Sequence, residues 1–299
     1  AIGSGRGGFD AVKIIDAAEK MGLNMVFIIG GDGTHAAAMK LDEEAQSRGL
    51  RLVVGAIPKT IDNDIKLIDR SFGFDTAVQE AVHAIKCAKI EAVSAVNGVG
   101  VVRLMGRNCG FLTAFASLAS NDVDLCIIPE ATLAVEPLVE YVRATLKRKG
   151  HMIITIAEGT EIPSDGGKGG DEKAGSAAGD VGMAGTASIS VDVGKWLVDT
   201  LKEKLGKDKS AAPTMRYIDP SYMVRSVAAN VGDAQYCSLL ASQAVHAAFA
   251  GYTGFSVGLI NNRSVLIPMW MIAGQNRKVD TSGRFWYRVL SSTGQPDLA

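Results

Sequence analysis

Two short segments carry side chains whose types and spacing suit the chemistry of phosphate transfer. Gly30-Gly31-Asp32-Gly33-Thr34 follows an apolar run and precedes a helical pattern. Glycines where a strand passes into a helix let backbone N–H groups approach a phosphate closely, and the helix start favours negative charge. Asp32 adds a carboxylate able to hold Mg²⁺ directly or through water. Pro58-Lys59-Thr60-Ile61-Asp62-Asn63-Asp64 follows the next apolar run, which places it at the same edge of the sheet. Two carboxylates two residues apart, beside a hydroxyl, can divide labour. One takes the proton from an attacking alcohol while the other helps arrange metal and water. The plain structural alternatives are a tight turn whose helix Asp32 caps, and a surface turn with solvated acids.

The elements that must hold these segments alternate along the chain. Residues 9–21 carry apolar side chains at helical spacing, 25–29 form a short apolar run, 35–47 are helical, and 52–57 form a second run ending at Pro58. Helices are expected over 76–87, 110–120 and 136–149, and strands over 98–104, 124–128 and 152–157. Runs this continuous predict strands buried on both faces, hence an α/β, doubly wound fold with a parallel sheet under helices. From about residue 161 to 186 the chain turns rich in Gly, Ala and Ser, which predicts a surface insertion or mobile loop. Helices follow over 191–205 and 233–251. A hairpin is expected with arms at 255–260 and 264–267 around Asn261-Asn262-Arg263.

Composition narrows the class of partner. The 31 basic and 32 acidic side chains nearly balance, so no overall field favours nucleic acid or an anionic membrane. A phosphate ligand must then be held by local groups. Four scattered cysteines without a CxxC pair read as reduced thiols of an intracellular protein. No apolar run reaches the roughly 18 residues a membrane helix needs, and the first residues lack the pattern of a signal peptide. The chain starts inside a Gly-rich turn without Met, so its natural N-terminus is expected upstream.

With GGDGT and PKTIDND, the segments Met105-Gly106-Arg107 and Arg216-Tyr217-Ile218-Asp219-Pro220-Ser221-Tyr222-Met223-Val224-Arg225 make the chain resemble the 6-phosphofructokinases almost end to end. The resemblance implies two doubly wound α/β domains with the active site in the cleft between them. Residues 1–74 with 225–272 would bind nucleotide, and 75–224 with 273–299 would bind the sugar phosphate, carrying a flexible insertion near 161–190. It implies Asp62 as general base on the 1-hydroxyl of fructose 6-phosphate, with Thr60 and Asp64 beside it and Arg107 steadying the transferring phosphoryl group. Met105, Gly106 and Arg107 would line the sugar pocket, and Glu158 would bond sugar hydroxyls. Tyr222 and Arg225 would hold the 6-phosphate, and Arg216 would reach into a neighbour's site. Arg6, Gly31, Asp32, Gly33, Thr34 and Lys59 fall to the ATP side, with Mg²⁺ at Asp32.

Gly98, Tyr222, KTIDND and the GFDTAV segment at residues 73–78 resemble the branch that includes plant and trypanosomatid members. Within the family, pyrophosphate users typically place Asp where Gly33 stands, which argues for ATP as donor; Lys59 is the residue more typical of pyrophosphate users. The resemblance further implies a homo-oligomer, dimer or tetramer, with shared sites, and no nucleic acid or membrane partner. The expected compartment is the cytoplasm, with plastid and glycosome as alternatives. Part of the ATP site is expected before Ala1, so this segment alone is expected to be weak or inactive. The rival readings are a pyrophosphate-dependent enzyme, a GGDGT kinase acting on NAD or a lipid, and a non-catalytic subunit that binds sugar phosphates.

Overall fold

The computed structural model describes residues 8–163, 192–207 and 212–298. Arg6 and almost all of the Gly/Ala-rich segment lie outside the described residues. The chain opens with α1 (Ala11–Lys20), β1 (Met25–Gly30), α2 (Asp32–Ser47) and β2 (Val53–Pro58). A second unit follows: α3 (Phe74–Val93), β3 (Gly98–Leu104), α4 (Phe111–Ser120), β4 (Leu125–Ile127), α5 (Val135–Lys149), β5 (His151–Ala157), α6 (Val193–Leu205), β6 (Thr214–Ile218) and the one-turn α7 (Ser221–Arg225). Then α8 (Val231–Phe249), β7 (Phe255–Ile260) and β8 (Arg263–Pro268) return to the first unit, and α9 (Arg284–Thr293) packs against α4.

Two four-stranded sheets result. The first has the order β1-β2-β7-β8, with β8 alone antiparallel. The second, β4-β5-β3-β6, is parallel throughout. Its strands β3, β4 and β5 are buried on both faces, as their unbroken apolar runs require. Val99, Val101, Ile154 and Ile156 join Leu138, Val142, Leu197 and Leu201 of α5 and α6 in one cluster. Val102, Leu104 and Ile153 meet Ala81, Ala88 and Leu112 of α3 and α4 in another.

Local chemistry explains where the elements begin and end. Asp10, Asp192 and Asn230 each accept a backbone N–H in the first turn of α1, α6 and α8, the usual role of such residues at a helix start. α3 runs six residues past its expected end, because Ala84, Ile85, Ala88 and Ala92 continue one buried stripe while the polar interruption stays exposed. The β7–β8 turn holds only Asn261 and Asn262, at φ 50° and 61°, and Arg263 begins β8. Two successive left-handed residues, which asparagine tolerates, are what a two-residue hairpin needs.

Three features differ from the sequence-based expectation. Among the described residues β1 pairs only with β2, and Ile29 is 54% exposed, short of the expected burial on both faces. β6 is a strand where only a ligand-binding segment had been expected, since its half-buried mix of Thr, Met, Arg, Tyr and Ile carries no clear periodicity. α2 begins at Asp32, so GGDGT runs into the first helical turn instead of preceding it.

The two units are tied at the starts of α3 and α8. Asp233, 1% exposed, accepts both the N–H (2.8 Å) and the hydroxyl (2.5 Å) of Thr76. That hydroxyl in turn accepts the N–H of Asn230, at 3.0 Å.

Candidate active site

β1 and β2 end side by side, with Gly30 paired to Pro58 and the Lys59 N–H donating to the Gly30 carbonyl at 2.9 Å. The two phosphate-type segments therefore leave the same sheet edge together. Gly30 has no room for a side chain, since a Cβ there would lie 2.2 Å from Thr34 Oγ1. The N–H groups of Thr34 and His35 both donate to the Gly31 carbonyl at 3.1 Å, closing the first turn of α2. His35 is buried and spans from that same carbonyl (Nδ1, 2.9 Å) to Ser256 Oγ of β7 (Nε2, 2.9 Å). Burial holds its pKa below the ordinary histidine value. Asp32 stands half-buried in the first turn and accepts the Gly274 N–H at 2.7 Å. Gly33 is exposed, and a Cβ on it would meet no protein atom within 4 Å.

The segment after β2 is braced from within. Asn63, at φ 54° and 2% exposed, accepts the Ser71 N–H (2.9 Å), and the Ser71 hydroxyl donates to the Thr60 carbonyl (2.6 Å). The Thr60 hydroxyl accepts the Asp62 N–H at 3.1 Å and donates to Asp64 at 3.2 Å. Thr60, Asp62 and Asp64 thus form one constellation. Asp62 Oδ1 is buried with no hydrogen-bond partner among the described residues. Burial, followed by the negative charges of Asp64 and Glu158, pushes the Asp62 pKa up to about 6, opposed by Lys59. Asp64 is also raised, mainly by burial; its hydrogen bonds from backbone and Thr60 oppose this, and the charge of Asp32 adds to it.

The second sheet meets this constellation through the ends of β3 and β5. Cys109, in the turn after β3, donates its thiol to the Asp62 carbonyl at 3.3 Å, and burial raises its pKa. Gly106 adopts φ 136°, where a Cβ would lie 2.5 Å from the Cys109 carbonyl oxygen. The Gly159 N–H donates to the Gly106 carbonyl at 3.2 Å, and a Cβ on Gly159 would come within 1.9 Å of the Arg107 carbonyl oxygen. The MGR and AEGT turns are therefore interlocked by glycines that only a missing Cβ permits. Met105 is half-buried. Arg107 is exposed, and among the described residues no carboxylate pairs with it.

Glu158 reaches the same space, since its charge acts on Asp62, and it pairs with Arg103 at 3.1 Å. Tyr222 and Arg225 lie on α7; Tyr222 is 71% exposed and the Arg225 guanidinium sits 4.8 Å over its ring. Arg216 is apart from these. Its side chain turns to Glu91 of α3, at 3.4 Å.

Sequence reasoning missed the supports. Residues 274–279 touch three of the turns: Gly274 bonds Asp32, the Arg277 N–H donates to the Asp64 carbonyl (2.6 Å), and the Val279 N–H donates to Glu130 (2.8 Å). Glu130 also accepts the Gly110 N–H at the start of α4, at 3.0 Å. The Arg277 guanidinium lies 4.5 Å over Phe111 and donates to the Ile68 carbonyl. Nothing local marks this segment, because most of what it supplies is backbone N–H delivered across more than 100 residues of chain. Among the described residues no group of three or more His, Cys, Asp or Glu forms a metal cage. Asp32 and Asp64, close enough to sense each other's charge, instead fit the way Mg²⁺ binds: one or two carboxylates, with water and phosphate oxygens completing the shell.

The family model for phosphofructokinase matches residues 2–248, and the chain belongs to that family. It is 46% identical to the ATP-dependent 6-phosphofructokinase 7 of Arabidopsis thaliana over 99% of the chain and 60% of that relative. The ATP-dependent 6-phosphofructokinase of Borreliella burgdorferi is 42% identical over 99% of the chain and 66% of its own length. That of Trypanosoma brucei brucei is 38% identical over 98% and 58%. The chain thus spans roughly three fifths of these relatives. Among solved structures, the pyrophosphate-dependent phosphofructokinase of Marinobacter aquaeolei superposes with a TM-score of 0.76, at 18% identity, over 99% of this chain and 74% of that one. At that identity the likeness is one of fold. Among the described residues no helix is long and apolar enough to cross a membrane.

Proposed function

We propose that the full-length protein transfers the terminal phosphoryl group of ATP to the 1-hydroxyl of fructose 6-phosphate, giving ADP and fructose 1,6-bisphosphate. The observation that carries this is Asp62: a carboxylate with one buried, unpartnered oxygen and a pKa raised to about 6, set where the two units meet. Such a group is poised to accept a proton from an alcohol near neutral pH. Transfer is direct and in line, since the constellation offers a base and no covalent nucleophile. Thr60 orients Asp62 and Asp64 through its two hydrogen bonds. Arg107, exposed and unpaired by any described carboxylate, is free to meet the charge on the transferring phosphoryl group, a task suited to its planar fork.

Met105 and Gly106 line the sugar pocket, Glu158 bonds its hydroxyls, and Tyr222 and Arg225 hold the 6-phosphate. On the donor side stand Arg6, Gly31, Asp32, Gly33, Thr34 and Lys59. Mg²⁺, held by Asp32 with Asp64 close by, neutralises phosphate charge when bound. ATP is the preferred donor because the space above Gly33 is open. An Asp there would set a carboxylate where the α-phosphate lies. Names given to relatives in plants, a spirochaete and a trypanosome agree.

The division into 1–74 with 225–272 and 75–224 with 273–299 is supported by the two separate sheets, though residues 274–279 serve both. A homo-oligomer with shared sites, in which Arg216 serves a neighbouring subunit, belongs to the same reading; within its own chain Arg216 pairs with Glu91 of α3. Placement is cytoplasmic in this reading; two Arabidopsis relatives are named chloroplastic. The test is initial-rate measurement on the full-length protein with ATP or pyrophosphate, and with fructose 6-phosphate or other sugar phosphates. Turnover with ATP and fructose 6-phosphate is expected. Faster turnover with pyrophosphate would reassign the donor, and none with either would remove the reading.

A further inference from the structure

β3 lies between β5 and β6, and Arg103 stands near its C-terminal end, in register with Ile156 of β5 and one residue beyond the last pair with β6. Its guanidinium reaches both neighbours. Nη2 lies 3.1 Å from Glu158 just past β5, and Nη1 lies 3.1 Å from Asp219 just past β6. Asp219 uses its other oxygen to accept the Ser221 N–H at 3.2 Å, at the start of α7. Asp192 lies further off, 3.9 Å from Nε. It is already engaged by the Tyr217 hydroxyl (2.8 Å) and by the N–H groups of Gly194 and Lys195.

α7 is five residues long, and a single turn has little stability of its own. Val224 anchors it in the core, while Tyr222 and Arg225 stay exposed. Its orientation therefore depends on what grips its ends. Arg103 is the one charged side chain on β3, and only 19% of it is exposed, so its ion pairs are partly shielded from solvent. A rigid fork with one arm on each flanking strand fixes a distance between them, which a single ammonium group does not.

We propose that Arg103 is a positioning residue that couples the sugar-hydroxyl carboxylate, Glu158, to the phosphate-binding turn, α7, so that both ends of the acceptor are read at one set separation. This rests on the acceptor being fructose 6-phosphate, as argued above. Arg103 acts only through Glu158 and Asp219.

The experiment compares the full-length wild-type protein with Arg103→Met, Arg103→Lys, Glu158→Gln and the double variant Arg103→Met/Glu158→Gln. Arg103→Met is expected to raise KM for fructose 6-phosphate by about tenfold or more, with kcat and KM for ATP within about threefold. Arg103→Lys, keeping charge without the fork, falls between. In the Glu158→Gln background the Arg103→Met effect shrinks, because the two share one interaction. Amide exchange supplies a readout independent of catalysis: the N–H groups of Val224 on α7 and of Ser226 just past it exchange faster in Arg103→Met, while those of Val99 and Val101 stay protected. Additive effects, equal loss in both substrates, or unaltered exchange on α7 would overturn the proposal. If the wild-type protein does not phosphorylate fructose 6-phosphate, the functional reading falls instead, and the exchange data still decide whether Arg103 holds α7.

Discussion

Asp62 combines two properties that rarely coexist without a purpose: a buried carboxylate oxygen with no described partner, and negative neighbours that resist its ionisation. Because the base works only when deprotonated, activity should rise with pH through about 6. A kcat/KM profile flat from pH 5 to 8 would remove Asp62 from that role. The same shift has a sign for stability. The folded protein binds this proton more tightly than the unfolded chain, so ionised Asp62 is destabilising at neutral pH and its burden fades as pH falls from above 6 towards 3.8. Asp62→Asn should therefore lower kcat by about 10²–10⁴-fold with KM for the sugar nearly kept. It should also raise unfolding free energy by about 3 kcal/mol, the value of a shift of this size. Equal loss in sugar affinity and turnover would count against the base assignment. At Gly33, the Asp substitution should raise KM for ATP about tenfold or more while leaving the sugar's KM alone. Donor titrations check this.

Elements matter here chiefly by where they begin. α2 starts at Asp32, which puts the glycines at the positive end of the helix, and His35 ties that turn to β7 through Ser256. His35 has its pKa lowered by burial, so its neutral form is the stabilising one. Its contribution is present above the unfolded value of 6.5 and is lost as pH falls below it. The starts of α3 and α8 lean on one buried carboxylate. Asp233→Ala leaves the Thr76 N–H and hydroxyl without their acceptor, and should destabilise the protein by roughly 2–4 kcal/mol. A urea midpoint unchanged from wild type would show that water replaces the carboxylate there.

For the whole molecule, the proposed shared site would need a second copy. Within its own chain Arg216 pairs with Glu91 of α3. If it serves a neighbour, Asp62→Asn and Arg216→Ala subunits are each nearly inactive alone. Mixed through reversible dissociation, they should recover about a quarter of wild-type activity, since half of random dimers would each hold one complete site. No recovery on mixing, with mixed oligomers shown to form, would place Arg216 outside any shared site.

Legibility followed sequence distance. GGDGT and PKTIDND could be read because each lies where an apolar run stops, and both the run and the turn are local matters of burial and backbone freedom. The resemblance then added MGR, Glu158 and the α7 residues, again as short unbroken motifs. The turn of the last hairpin, being set by two asparagines, was off by one residue only.

What the sequence alone determined, then, was the alternation of elements, the mainly parallel strand pairing and which short motifs lie at the strand ends, because side-chain period and turn chemistry act over a few residues. Tertiary structure decided the rest. It raised the Asp62 pKa by burying the carboxylate and by bringing Glu158 across from the other sheet. It also set residues 274–279 against three turns and spread Arg103 between two strands. Those effects depend on distance in space between groups far apart in the chain, and no local pattern of residues encodes that distance.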